Sequence, residues 1–252
     1  VADQHADWPG VITLEEALAI RDLGIDKPVA ILGHTEIERL DFVISGEFRQ
    51  VVYRQDVAAA LSGFAKDRST TARVHLKVET GTHRQGVALG ELQDFVRELL
   101  ALPNLEIEGV YTHFANIEDT LDPAFAQFQI DEFRRALAIV KHAGARPSWI
   151  HASATSGALL YPETGFNMIR VGIGTYGIWP SRETQLASRE RGRRITLTPA
   201  LSWKTRIAQI KTIKPGEFVG YGLTYQASHP MKIAILPIGY YDGYDRKLSN
   251  NG

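Results

Sequence analysis

Short runs rich in β-branched and apolar residues alternate with runs of helical period along most of this chain. That alternation limits the fold more than any other feature. Strand-like runs lie at 7–12, 28–34, 48–54, 73–80, 105–114, 148–153 and 167–177. Helical runs follow at 13–24, 35–44, 56–67, 89–103, 124–143 and 155–161. The first helix carries its own punctuation: Thr13 as N-cap, Glu16 three residues on as the capping-box partner, and Gly24 as the stop. Strands separated by helices make a parallel sheet, either an open doubly wound sheet or an eight-stranded barrel. No GxGxxG follows the first strand. The polar residues Arg84, His113, His151 and Arg170 stand instead at the C-terminal ends of several different strands, as barrels arrange their sites. The expectation is a (β/α)8 TIM-type barrel over residues 1–181. Only seven strands are counted, so the first is expected to lie upstream of Val1.

After residue 181 the composition changes. Residues 182–199, with the Arg-rich run "SRERGRR", read as a linker, either a solvated connector or a polyanion-binding segment. Residues 200–252 alternate without helical runs and read as a partial, truncated β-rich C-terminal domain. The absence of Met at position 1 and the turn-like "KLSNNG" at the end lead to the expectation that both ends are cut.

Hydrophobic residues make up 44% and charged residues 23% of the 252, a globular balance rather than a disordered one. A net charge of −1 offers no bulk attraction to nucleic acid or to an anionic membrane, and neither partner is expected. With no cysteine, the chain has no disulfide, thiolate metal site or Cys nucleophile, and it fits a reducing compartment. No run approaches the roughly 20 apolar residues that span a bilayer, and no signal peptide opens the chain. A cytoplasmic location is expected.

Several residues carry chemistry, each with a plainer reading beside it. Arg84, in "ETGTHRQG" after a strand, suits a carboxylate or phosphate, or a structural salt bridge on its loop. Lys77, inside the strand, is a Schiff-base candidate once burial lowers its pKa, or a lysine balancing barrel carboxylates. His113 and His151 end neighbouring strands and are either core histidines or parts of one site. Their spacing gives no His-x-x-His pair, and no metal is expected. The glycines of "RVGIGTYG" let backbone N–H groups approach a phosphate, with the hydroxyl of Thr155 beside them, or they relieve crowding where the barrel closes. Tyr221, between two glycines in "VGYGLTY", is a proton donor or acceptor, or an aromatic turn residue.

The order and spacing of "HLKVETGTHRQGV", "EGVYTHFAN", "HASATSGALL", "IRVGIGTYG", "VGYGLTY" and "LPIGYYDGYDRKLSN" resemble the alanine racemase family, pyridoxal-phosphate enzymes of fold type III. The resemblance covers nearly the whole chain. It implies a barrel followed by a β-domain, a head-to-tail homodimer, pyridoxal 5′-phosphate as cofactor, and interconversion of L- and D-alanine for cell-wall precursors. It also implies that Arg170 faces the pyridine nitrogen and that His113 hydrogen-bonds Arg170, with His151 beside the ring. Gly172, Ile173 and Thr155 would hold the phosphate. Arg84 would take the substrate carboxylate or support the base, with Lys77 behind it, a lysine carbamylated in many members. Tyr221 would act as one base in the other subunit's site, and Tyr240 would line the entrance.

The cofactor-carrying lysine of the family lies on the first strand and Lys77 does not match its motif, so the 252 residues alone are expected to lack racemase activity. Glu79, Thr82, His83, Ala154 and Thr155 depart from the usual family residues, which raises serine or basic amino acids as alternative substrates. A non-catalytic pyridoxal-phosphate carrier is a second class, and an aldolase or sugar-phosphate isomerase using Lys77 a third. A pseudoenzyme is a fourth.

Overall fold

Six parallel strands lie side by side in sequence order in the computed structural model of the protein, which describes residues 5–250. They are β1 (Gly10–Val11), β2 (Ala30–Ile31), β3 (Arg49–Val52), β4 (Ala72–Lys77), β5 (Leu105–Tyr111) and β6 (Trp149–His151). The helices between and after them are α1 (Leu14–Asp22), α2 (Leu40–Ser45), α3 (Gln55–Asp67), α4 (Leu89–Ala101), α5 (Ala124–His142), α6 (Thr155–Leu160) and α7 (Arg182–Glu190). The sheet curls into a half-barrel. Trp8, just before β1, reaches within 5.5 Å of the Trp149 ring on β6 and 5.5 Å of the His75 ring on β4.

The helices form where the periodicity demands. Thr13 caps α1 in a full capping box with Glu16, and Gly24, at φ 74°, turns the chain out of the helix. In α3, Val57, Ala58, Leu61 and Ala65 are buried. In α4 the buried stripe is Leu92, Val96 and Leu99, and in α5 it is Ala126, Ile130, Phe133, Ala136 and Val140. These three- and four-residue steps put one face of each helix into a common core with Val52, Val74, Leu76 and Val110 of the strands.

One irregularity matters below. The β4–β5 register runs Val74 opposite Ile107 and then His75 opposite Gly109, so Glu108 is an extra, bulged residue.

Two expectations are corrected. The strand expected at 167–177 is a single bridge between Met168 and His151, followed by a 3-10 turn over Ile173–Tyr176. Glycines at 172, 174 and 177 weaken any strand there, and Gly177, at φ 75°, ends the turn. The expected linker 182–199 begins with the helix α7. Ser181 caps it, accepting from the Thr184 N–H, and Thr184, Ala187 and Ser188 are buried. Two of its arginines are structural. Arg191 donates to the Leu160 carbonyl and Arg193 to the Leu159 carbonyl, satisfying the last groups of α6. The chain divides into compact units at Pro199/Ala200, so α7 belongs with the first.

In the second unit β7 (Gln209–Ile213) pairs antiparallel with β10 (Met231–Ile235), and β8 (Phe218–Val219) with β9 (Tyr225–Gln226). Among its described residues Ala227 is the one buried hydrophobic residue. No helix among the described residues is long and apolar enough to cross a membrane.

Candidate active site

The strand ends of the first unit deliver their polar residues to one place because the register aligns them. Lys77 lies opposite Tyr111, and Tyr111 opposite His151, so three interior side chains form a layer. The Tyr111 and His151 rings stack at 4.7 Å with 2° between their planes. Arg170 lies against this layer, its guanidinium 4.9 Å from the Tyr111 ring centroid.

Arg170 is held on several sides. Its Nη1 donates to His151 Nδ1 at 2.5 Å, and its Nη2 to the carbonyls of Thr112 at 2.9 Å and Ala152 at 3.0 Å. Nη2 also lies 3.2 Å from His113 Nδ1. Burial pulls the guanidinium pKa down to about 10, against a small opposing effect of Tyr111, so it remains charged at neutral pH. A guanidinium only donates, so both histidines accept at Nδ1 and are neutral with the proton on Nε2. Burial, then the charge of Arg170, holds His151 well below the usual histidine range. Burial, then Arg170, Arg84 and Lys77, brings His113 to about 4.

A cavity of about 1010 Å³ lies beside this cluster, between the β1 side of the curled sheet and the segment after β6. His113, His151, Arg170, Thr155, Gly172 and Ile173 all line it. The N–H groups of Gly172 and Gly174 converge on Thr155 Oγ1 at 3.3 and 3.4 Å, a pattern of donors that suits an anionic oxygen. A Cβ on Gly172 would meet nothing within 4 Å, whereas one on Gly174 would come to 2.7 Å from Thr155 Cγ2. Glycine at 174 is what lets this backbone approach Thr155. The wall therefore offers a charged donor at Arg170 and, a few residues on, a cluster of donors fit for a phosphate.

Lys77 is buried, 3.3 Å from Gln85 Oε1 and 5.6 Å from the Tyr111 ring centroid. Burial, then the Arg84 charge, lowers its pKa to about 8. Arg84 itself is exposed on the loop after β4. That loop is tied by Glu79, whose carboxylate accepts from the N–H groups of Gly81 at 2.5 Å and Thr82 at 2.7 Å. Burial would raise the Glu79 pKa, but the backbone donors at 81–84 outweigh it and hold it low. Tyr221 and Tyr240 lie in the second unit and are exposed. Among the described residues no three His, Asp or Glu side chains gather as a metal site.

Sequence reasoning gave no role to Tyr111 or to the group of Arg49, His75 and Glu108 beneath the site. For Tyr111 and His75 the signal was present, since both share strand parity with residues singled out. For Glu108 there was none, because a bulge resets parity.

The model of "Alanine racemase, N-terminal domain" matches residues 1–180, and that of "Alanine racemase, C-terminal domain" residues 200–252. An alanine racemase of Symbiobacterium thermophilum is 36% identical over 97% of the chain and 63% of its own length. One from Leptospira interrogans is 37% identical over 96% of the chain and 62% of its own length. The chain thus spans less than two thirds of the length of these relatives. Among solved structures, an alanine racemase from a D-cycloserine-producing Streptomyces lavendulae aligns with a TM-score of 0.84 at 30% identity, covering 96% of this chain and 62% of that one. A histidine racemase from Leuconostoc mesenteroides aligns with a TM-score of 0.75 at 30% identity, covering 94% and 61%.

Proposed function

The chain belongs to the alanine racemase family, and from that premise we propose that the protein racemises alanine with pyridoxal 5′-phosphate as its cofactor. The observation that carries the reading is the cavity wall, with the Arg170 guanidinium fixed by His151, His113 and two carbonyls beside the Gly172–Gly174 donors. The residues present fit the cofactor. Arg170 would donate to the pyridine nitrogen, and Thr155 with the 172–174 backbone would hold the phosphate. Bound there, pyridoxal phosphate supplies an electron sink that acidifies the substrate Cα–H.

The remaining roles fall to side chains. Arg170, a donor that does not give up its proton at neutral pH, would leave the pyridine nitrogen unprotonated and so restrain the electron sink. His113 and His151, kept neutral, orient Arg170 without adding charge. Arg84 suits the substrate carboxylate, with Lys77 supporting it. Tyr221 would exchange the proton on one face of Cα, supplied by the second copy of a homodimer, and Tyr240 would narrow the entrance. The exposed Ile210, Phe218, Leu223 and Tyr225 of the second unit support such a covering partner. A cytoplasmic location fits an enzyme that supplies D-alanine for cell-wall synthesis.

The test is chiral chromatography of L-alanine incubated with the purified protein at its natural length, alongside Arg170→Ala. D-Alanine production by the native protein, and loss of cofactor retention in the variant, are expected. A protein that binds pyridoxal phosphate yet yields no D-amino acid would be a carrier instead. The likeness to a histidine racemase makes a second substrate reading concrete, so serine, histidine and arginine belong in the same assay.

A further inference from the structure

Beneath Arg170 the barrel interior holds a continuous polar path with no part in the chemistry above. His151 Nε2 lies 2.8 Å from Nδ1 of His75, a side chain with no exposed surface. Nε2 of His75 is buried and makes no hydrogen bond; the acceptor nearest it is Glu108 Oε2, at 3.5 Å. Glu108 in turn accepts from Arg49, at 3.0 Å from Nε and 3.4 Å from Nη2. The path leaves β3 at Arg49, passes β5 and β4, crosses to β6 and ends on Arg170.

Two features of the backbone exist at this place and serve it. The β4–β5 bulge sits at Glu108, the residue that meets His75. At the next position a Cβ on Gly109 would lie 2.6 Å from His75 Nδ1, so only glycine leaves room for the imidazole.

The chemistry of the groups orients the whole path. Arg170 only donates, so His151 accepts at Nδ1 and must carry its proton on Nε2. That proton points at His75 Nδ1, which must accept, placing the His75 proton on Nε2. Glu108, ionised and paired with Arg49, is the acceptor at the end. Were the acceptor missing, His75 could equally hold its proton on Nδ1. Two N–H groups would then face each other unless His151 also turned over, and a reversed His151 would present a donor to Arg170.

We infer that Glu108, neutralised by Arg49, is a positioning residue that sets the tautomers of His75 and His151 and thereby locks Arg170 in its cofactor-facing pose. The cofactor-facing part rests on the function proposed above. The tautomers do not, so the experiment needs no cofactor.

Histidine-ring 15N labelling with long-range 1H–15N correlation reads each tautomer in the purified protein at neutral pH. The native protein should show His75 and His151 both neutral with the proton on Nε2. Arg49→Met/Glu108→Leu removes the acceptor without stranding a buried charge. It should give His151 a mixed or reversed tautomer, although His151 touches neither substitution. Glu108→Gln keeps an acceptor oxygen and should restore the native pattern, which a merely structural role would not require. Native tautomers retained in the double variant, or an Nδ1 proton on either ring of the native protein, would overturn the inference. If the double variant does not fold, Gly109→Ala, which displaces the His75 ring, takes its place with the same expected change at His151.

Discussion

Arg170 shows how a single residue can be specified by what surrounds it. Every group that hydrogen-bonds its guanidinium is an acceptor, and its histidine partners stay neutral because burial, and after it the charge of Arg170, disfavours the imidazolium. That neutrality has a measurable consequence. His113 has a folded pKa of about 4, below its ordinary value, so the unfolded chain binds more protons between about pH 6.5 and 4. Stability should fall as pH falls through that window, by up to about 1.4 kcal/mol per unit for each such histidine. Urea titrations from pH 7.5 to 4.5 should show the slope, and His113→Asn should flatten it. An unchanged slope would mean that His113 titrates normally. Lys77 carries the opposite opportunity. With a pKa of about 8 it is partly neutral at physiological pH, and a neutral amine adds carbon dioxide to form a carbamate. Incubation with 13C-bicarbonate should give a carbamate carbon signal that Lys77→Met removes.

At the scale of the element, the loop after β4 is a small machine for holding Arg84 at a strand end. Gly81 and Gly86 take positive φ, His83 does so at 50°, and the Glu79 carboxylate gathers the N–H groups that this shape turns inward. Thr82 fastens the loop to the segment just after β5, donating to the His113 carbonyl at 2.5 Å. Hydrogen bonds to an ionised acceptor are worth roughly 1.5–3 kcal/mol each to the geometry they hold. Glu79→Ala should therefore free the loop, and limited trypsinolysis after Arg84 should accelerate by roughly tenfold or more, as about 1.4 kcal/mol of lost restraint requires. Equal cleavage rates would show that Thr82 alone suffices. The helices around this loop were legible in advance. The Thr13–Glu16 capping box and the apolar stripes of α3, α4 and α5 are written in local spacing. The segment 167–177 was not, because its glycines support several backbone paths and only the bridge at Met168 and the turn at 173–176 choose among them.

For the whole molecule, the two units differ in how they are stabilised. The first owns a continuous core of buried aliphatic and aromatic side chains. The second exposes Ile210, Phe218, Leu223, Tyr225 and Tyr240. Two small antiparallel pairs with one buried hydrophobic residue among those described are marginal by themselves, and the homodimer proposed above would cover these side chains. Sedimentation equilibrium of the purified protein should give the mass of a homodimer. Tyr225→Lys should shift the equilibrium towards monomer while leaving the far-ultraviolet dichroism of the first unit intact. A native monomer at all concentrations would remove the basis for a site shared between copies.

The sequence by itself determined the alternation of strands and helices, the cap that starts α1, and the residue types that end β4, β5 and β6. Each of these follows from neighbours within a turn or two of helix or from period-two patterning, so local physics suffices. Only the tertiary structure decided that Arg170 lies on Tyr111 and His151, that α7 rather than a linker follows residue 181, and that Glu108 turns inward through a bulge to meet His75 and Arg49. Those outcomes depend on which strands pair and in what register. Register is set by the burial of whole faces at once, and no short window of residues contains it.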